Sequence, residues 1–376
     1  MEILQQEKPR LEWLNNFKPS GNKKAALLIP QFNEGSRCNM FDRLEYFMSV
    51  TRDHSDIIDV IIIDDGSTDN SLDLIREFIR LRQGAFYVSS VYPNARKVGA
   101  LYLTTLAIQY EFVILSDFDT DLVYLNKLTE VLYVLSKDDS LMGCYFRMLP
   151  NYGSGMAFRF QKLEYSLARS LYRLMVTEGS VPVMPGAGSC YKRDILLSIY
   201  SLHSGRWWGE DREATLIGLK LGYKAVYVNR ILALTRPPMA FSELVKQRVR
   251  WYRGYLETVF KEREFYLFQI RKWNGIGIRT LIDAITVFFI IFLPLMILMV
   301  SVINPQLLIL FIISCYLASV TWCVCLICSS PKESEEFKKG RLLFIIYYPF
   351  VKIALDYLAW TKVFFIFLRQ ITMRKP

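Results

Sequence analysis

From Ala25 onward the chain alternates short, unbroken apolar runs with longer stretches whose apolar positions recur every three or four residues. Ala25–Ile29, Val60–Ile63, Phe86–Val91 and Phe112–Leu115 lack polar alternation and read as strands buried on both faces. Met40–Thr51, Ser71–Leu81 and Val98–Gln109 lie between them with helical spacing. Such an order predicts an α/β domain: a mostly parallel sheet with helices on both faces. Ligands collect beyond the carboxyl ends of the strands in these sheets. Asn33-Glu34, Asp64-Asp65 and Asp117/Asp119 all fall at such ends, so three acidic groups are expected to converge on one edge.

Leu141–Asn229 mixes strand and helix patterns around the small-residue turn Pro185-Gly186-Ala187-Gly188-Ser189. A Gly-rich turn lets backbone approach a ligand closely, or simply satisfies a tight bend. Trp207-Trp208-Gly209-Glu210-Asp211-Arg212 then opens a further helix. From Phe241 a long basic, aromatic helical stretch carries Gln247-Arg248-Val249-Arg250-Trp251 and suits a membrane surface. Ala284–Ile303 and Pro305–Ser330 are uncharged and long enough to cross a bilayer, joined by a short turn as a hairpin. The charged loop Pro331–Arg341 leads to Leu342–Leu368, where Lys352 and Asp356 stand one helical turn apart. That segment reads as a third span, with an interfacial helix as the alternative. The expected division is a polar segment 1–24, a cytoplasmic domain 25–240, interfacial helices 241–280 and a transmembrane region 281–376.

Composition narrows the functional classes. The chain has 376 residues, is 52% hydrophobic and carries a net charge of +10. Nine Lys/Arg against four Glu lie between Phe241 and Arg279, the basic flank expected on the cytoplasmic side of a membrane span. No nucleic-acid recognition motif accompanies the charge, so no nucleic-acid partner is expected. Seven cysteines, with Cys323, Cys325 and Cys328 in the apolar C-terminal run, read as small core residues rather than a disulfide framework or metal site. Only two histidines are present, which leaves a zinc site or Ser-His-Asp hydrolase poorly supplied. Met1–Lys24 lacks the apolar core of a signal peptide, which keeps the first domain cytoplasmic, at the inner face of a plasma membrane. Neither G-x-G-x-x-G nor G-x-x-x-x-G-K-[ST] occurs.

Asp117-Phe118-Asp119-Thr120-Asp121, just past the Phe112–Leu115 strand, sets three carboxylates together. Like charges at such range raise one another's pKa unless a cation intervenes. Mg²⁺ or Mn²⁺ bridging to phosphate oxygens would serve, and a solvated acidic turn is the other reading.

Together these stretches resemble the family 2 glycosyltransferases, in particular the membrane branch of cellulose, chitin-oligosaccharide and hyaluronan synthases. The resemblance covers about Ala25–Tyr255, with motifs in the family's order. Ile29-Pro30-Gln31-Phe32-Asn33-Glu34 is similar to its opening strand motif, and Ile63-Asp64-Asp65-Gly66-Ser67 to its nucleotide-binding acidic pair. Lys97-Val98-Gly99 resembles its K-x-G, Asp117-Phe118-Asp119 its D-x-D, and Gly188-Ser189 its acceptor-side turn. Gly209-Glu210-Asp211 stands in for Thr-Glu-Asp, with Gly in place of Thr, and Gln247–Trp251 is a full Q-x-x-R-W.

The resemblance implies a GT-A-like fold and an inverting transfer from a UDP-sugar to a growing β-linked polysaccharide or oligosaccharide. Asp119 would hold the metal, with Asp117 supporting it or the ribose. Asn33, Glu34, Asp64, Asp65, Lys97, Asp117, Gln247 and Arg250 would bind the nucleotide sugar, Arg250 as a bidentate partner of the phosphates. Asp211, beside Glu210, would be the general base; a helix N-terminal acid is its bland reading. Gly188, Ser189 and Trp251 would face the acceptor, Trp251 being equally suited to interfacial anchoring. Trp207 and Trp208 fit either an acceptor cleft or the core. The rival acceptor is a lipid, a polyprenyl phosphate or glycolipid, and a non-catalytic nucleotide sensor is the reading from another class. Few spans for a polymer pore would call for a homo-oligomer or secretion partner.

Overall fold

The computed structural model describes residues 8–17, 23–84, 86–171, 173–205, 208–328 and 342–373. The chain forms two compact units, one of residues 1–148 and 182–235, the other of 149–181 and 236–376. The loop Pro331–Arg341 and Trp207 lie outside the described residues.

The first unit is built on a nine-stranded sheet: β1 (Arg10–Trp13), β2 (Ala25–Gln31), β3 (Ile58–Asp64), β4 (Tyr87–Tyr92), β5 (Phe112–Leu115), β6 (Thr120–Val123), β7 (Leu141–Pro150), β8 (Ser189–Lys192) and β9 (Lys224–Thr235). Their order across the sheet is β1-β4-β3-β2-β5-β8-β7-β9-β6. The four apolar runs read from sequence are the parallel strands β2 to β5. The other half is mixed in: β8 runs antiparallel to β5 and β7, and β6 antiparallel to β9. Polarity alone places the start of the domain at Ala25, yet the sheet's edge strand lies earlier. Trp13 stacks on Phe17, and Asn15 bonds both Phe86 O and Val88 N, which fastens this short polar strand to β4.

Among the described residues, six α-helices belong to this unit: α1 (Met40–Asp53), α2 (Ser71–Leu81), α3 (Arg96–Ala107), α4 (Leu128–Lys137), α7 (Arg193–Leu202) and α8 (Glu210–Lys220). α1 packs on α2, while α3, α7 and α8 form a second group. Leu27, Ile29, Val60, Ile62, Phe112 and Ile114 are buried with Leu44, Phe47 and Phe78 of the first pair of helices. Every residue of β3 is buried, Asp59 included. Lys23 and the Tyr110 hydroxyl satisfy that carboxylate at 2.5 and 2.6 Å.

The second unit is helical: α5 (Gly155–Leu171), α6 (Arg173–Thr177), α9 (Phe241–Lys261), α10 (Arg263–Arg271), α11 (Gly275–Ile303), α12 (Pro305–Cys328) and α13 (Leu342–Met373). Among the described residues, Gly275–Ile303 and Pro305–Cys325 are long and apolar enough to cross a membrane, with mean hydropathies of 2.8 and 2.3. Only 6% of each apolar window is buried, unlike the core helix of a soluble protein. Phe288, Leu298, Val302 and Leu310 are exposed, a surface suited to lipid. Cys323 is buried as its apolar setting predicts, but Cys325 and Cys328 lie exposed on the same helix, since neighbours turn to different faces. In α13 the pair Lys352–Asp356 forms at 2.7 Å. Asp356 also accepts from the Tyr252 hydroxyl, and Lys352 reaches Glu164 at 3.4 Å, so these two charges are satisfied inside the unit.

One buried contact connects α1 to the turn after β5. Arg43 donates from Nε to Phe118 O at 2.8 Å and from Nη2 to Thr120 O at 3.1 Å, and its Nη1 pairs with Asp121. Replacing Arg43 by Leu strands a buried carboxylate, so Arg43→Leu should cost about 3–5 kcal/mol. Arg43→Leu/Asp121→Leu should recover part of that loss, measured by denaturation of the purified chain. Independent, additive costs would show that the pair does not fix the turn.

Candidate active site

Each acidic group stands where a parallel strand ends and its backbone can pair no further. After β2, Asn33 adopts φ 55°, a left-handed conformation that Asn tolerates. Its Oδ1 accepts from Thr68 N at 2.7 Å and Asp69 N at 3.2 Å, which ties this turn to the one after β3. Asp64, the last residue of β3, is fully buried and held by Gln31 and by Ser67 N at 3.3 Å. Asp65 accepts from Ala95 N at 2.7 Å and Asn94 Nδ2 at 3.1 Å, fixing the turn that leads into α3. Burial raises both carboxyls, and the Asp64 charge helps push Asp65 up to about 7.

Lys97, on the first turn of α3, joins the strand ends to the second half of the fold. Its Nζ lies 2.5 Å from Asp117 Oδ1 and 3.5 Å from Glu210 Oε1. Desolvation opposes its charge, but Asp117 and Glu210 overcome that and hold it above the usual lysine range. Asp119 faces the solvent and accepts from its neighbour Thr120 Oγ1 at 3.1 Å. Protein crowding first, then the Asp117 charge, pushes it up to about 6, with Glu34 adding repulsion. Glu34 is itself raised, by burial above all, against the lowering effect of Arg37.

Asp121 is the exception among the three carboxylates after β5. It is buried against Arg43, away from the partners of Asp117. The expected triple repulsion is therefore a double one, because the chain supplies its own cation for the third acid.

Gly209 precedes α8 at φ 71°, the left-handed region where glycine replaces a β-branched residue without strain. Glu210 and Asp211 follow in the first helical turn, where the dipole favours anions. Asp211 accepts from Arg212 N at 2.8 Å. Its pKa is nonetheless pushed up to about 6, by burial first and the Glu210 charge second, with Lys97 pulling the other way. A carboxylate so tuned can take up a proton near neutral pH.

The small-residue turn contributes differently from expectation. Ser189 is buried and its hydroxyl donates to Pro185 O at 2.6 Å, while a Cβ on Gly188 would meet Ala233 at 2.7 Å. Both stand in the packing of the sheet. Gly186 is the one beside the charges: a Cβ there would lie 2.7 Å from Lys97 Nζ and 4.0 Å from Asp211 Cβ. Its position two residues upstream of the matched pair hid it, although the Gly-rich turn itself was visible.

The sequence profile of glycosyl transferase family group 2 matches residues 112–325, more than half of the chain. The chain belongs to this glycosyltransferase family. An N-acetylglucosaminyltransferase of Bradyrhizobium diazoefficiens is 25% identical over 62% of this chain and 49% of its own length. A poly-beta-1,6-N-acetyl-D-glucosamine synthase of Staphylococcus epidermidis is 26% identical over 54% of this chain and 49% of its own. The chain thus spans about half the length of these curated relatives. Among solved structures, a mannosyltransferase of Pyrobaculum calidifontis in complex with GDP-Man and Mn2+ aligns with a TM-score of 0.47 at 15% identity, covering 67% of this chain and 68% of its own. S. aureus TarS in complex with UDP-GlcNAc aligns at 0.38 and 16%, covering 60% and 66%.

The remaining expected residues of the glycosyltransferase lie in the second unit. Gln247, Arg250 and Trp251 fall at i, i+3 and i+4 of α9 and so share a face. Arg250 and Trp251 are exposed, and Gln247 accepts from Arg248 at 3.0 Å. Arg248, which no motif singles out, is the buried cation of this helix. It pairs with Glu164 and lies 4.1 Å over the Trp251 ring. Trp208 is half-buried. Among the described residues, no three His, Cys, Asp or Glu side chains are grouped as a protein-only metal cage.

Two outcomes follow from Lys97. Since its charge lowers both Asp119 and Asp211, Lys97→Met should move both carboxyl titrations upward from about 6, read by carboxyl-carbon NMR. An unchanged Asp211 titration would separate the two groups. Gly186→Ala must displace the Lys97 ammonium, so its donor KM should rise by about tenfold, whereas Gly205→Ala, where a Cβ meets nothing within 4 Å, tests backbone strain alone.

Proposed function

We propose that this glycosyltransferase moves N-acetylglucosamine from UDP-N-acetylglucosamine to a hydroxyl of a growing β-linked oligosaccharide or polysaccharide, at the cytoplasmic face of the plasma membrane. The observation that carries the reading is Lys97, bridging the D-x-D carboxylate Asp117 to Glu210 beside Asp211. A donor's leaving phosphates and an acceptor's base belong on two sides of one reacting carbon, and this cation joins the residues suited to each. The choice of sugar rests on the names of the similar curated proteins, and that of the nucleotide on the motif resemblance.

Asp211 takes the proton from the acceptor hydroxyl as its oxygen bonds the anomeric carbon. The bond from that carbon to the diphosphate oxygen breaks, and UDP leaves with the electron pair. A single displacement of this kind inverts an α-linked donor to a β-linkage. General-base assistance is worth about 10²–10⁴-fold. Lys97 places positive charge toward the departing phosphates. Asp64 and Asp65 act by shaping the turns around the nucleoside, with Asn33 and Glu34 on the neighbouring turn.

A divalent cation fits this chemistry. Desolvation first and then the Asp117 and Glu34 charges raise Asp119; Mg²⁺ or Mn²⁺ would relieve the charge part, and Asp119 with Asp117 supplies hard oxygen donors. Once bound, such an ion stabilises the charge developing on the diphosphate. Asp117 and Asp119 are too few for a cage and would hold such an ion only together with the donor.

The presence of two candidate spans among the described residues favours a second reading, a short product or a single transfer to a lipid acceptor. The test uses purified full-length chain in nanodiscs with radiolabelled UDP-N-acetylglucosamine and sizing of the product. Asp211→Asn should bind UDP with near-normal affinity yet lose about 10²-fold or more in transfer. Retained turnover in Asp211→Asn removes it as the base, and a single-sugar lipid product replaces the polymer reading.

A further inference from the structure

His203, one of only two histidines, follows α7 as its C-terminal cap and has a fully buried side chain. Both ring nitrogens have backbone partners. Nδ1 lies 3.0 Å from Gly205 N and Nε2 lies 2.9 Å from Glu210 O. An amide N–H can only donate and a carbonyl can only accept, so Nδ1 carries the lone pair and Nε2 the proton. The ring is thereby fixed as one neutral tautomer.

The carbonyl it holds belongs to the peptide joining Glu210 to Asp211. Other bonds immobilise the same corner. Glu213, 3.7 Å from the ring, accepts from Ser204 Oγ at 2.6 Å. Arg96, next to Lys97, donates to Gly205 O at 2.7 Å. His203 is thus inserted between the end of α7 and the first turn of α8, directly behind the two acids and with no access to substrate of its own.

We propose that His203 is a positioning residue: its Nε2–H fixes the Glu210–Asp211 peptide and so aims the Asp211 carboxylate at the acceptor hydroxyl. The inference rests on Asp211 as the base. A glutamine amide can present N–H near the Nε2 position, whereas an asparagine oxygen can replace Nδ1 and keep only the Gly205 bond. His203→Gln should therefore retain most of the wild-type kcat. His203→Asn should lose about 10²-fold in kcat, the cost of a misplaced group, with UDP affinity and melting temperature near wild type. The assay is transfer from UDP-N-acetylglucosamine by the full chain in nanodiscs.

Equal turnover of both variants overturns the proposal, as does equal loss in both with the fold intact. Nitrogen-15 NMR of the wild-type ring is the second measurement, independent of whether the variants fold. It should report the proton on Nε2 and the lone pair on Nδ1, and an Nδ1–H ring overturns the assignment. An inactive Asp211→Asn with a fully active His203→Asn sinks this inference alone; an active Asp211→Asn sinks the base reading instead.

Discussion

The first unit gathers more negative charge at one sheet edge than it can leave uncompensated, and Lys97 is the cation that makes the gathering possible. At 2.5 Å from Asp117 and 3.5 Å from Glu210, it links the turn after β5 to the start of α8. Without it, carboxylates already raised by burial and mutual repulsion would rise further, and Asp119 and Asp211 would lose their poise near pH 6. Gly186 completes the arrangement by omission, because any side chain there would occupy the ammonium's place.

Behind this charged edge lie neutral or self-compensated anchors. Arg43 neutralises Asp121 and bonds two carbonyls of the D-x-D turn, so that Asp117 and Asp119 are presented by a turn held from below. Its guanidinium sits 4.9 Å from each of the Tyr46 and Phe47 rings, which desolvates the pair and makes breaking it costly. His203 does the corresponding work behind Glu210 and Asp211 with no net charge. Compensated groups hold the turns, and the raised carboxyls of Asp119 and Asp211 stand in front of them.

The second unit solves a different problem. Its two candidate spans present apolar surface outward, while Arg248, Glu164, Lys352, Asp356 and Tyr252 form a polar network within. Burying that many charges is tolerable only because each meets a partner of opposite sign or a hydroxyl. Of the charges that left Leu342–Leu368 open between a third span and an interfacial helix, Lys352 and Asp356 neutralise each other on one helical face, while Lys362 is exposed. Among the described residues, this helix is not one of the two that are long and apolar enough to cross a membrane.

The sequence by itself determined the parallel strands, the strand-end acids and the family, because those depend on local pattern: unbroken apolar runs, helical spacing and motifs of a few adjacent residues. It also placed Gln247–Trp251 on a basic, aromatic helix. Only the tertiary structure decided that Asp121 turns away to Arg43, that Gly186 rather than Gly188 borders Lys97, and that Ser189 is packed into the sheet. It also set the bonding partners of His203 and Arg248, and brought Arg10–Trp13 into the sheet. The physical reason is the same in each case. A buried polar group needs a partner, and the identity of that partner is fixed by chain segments tens of residues away, about which the local pattern carries no information.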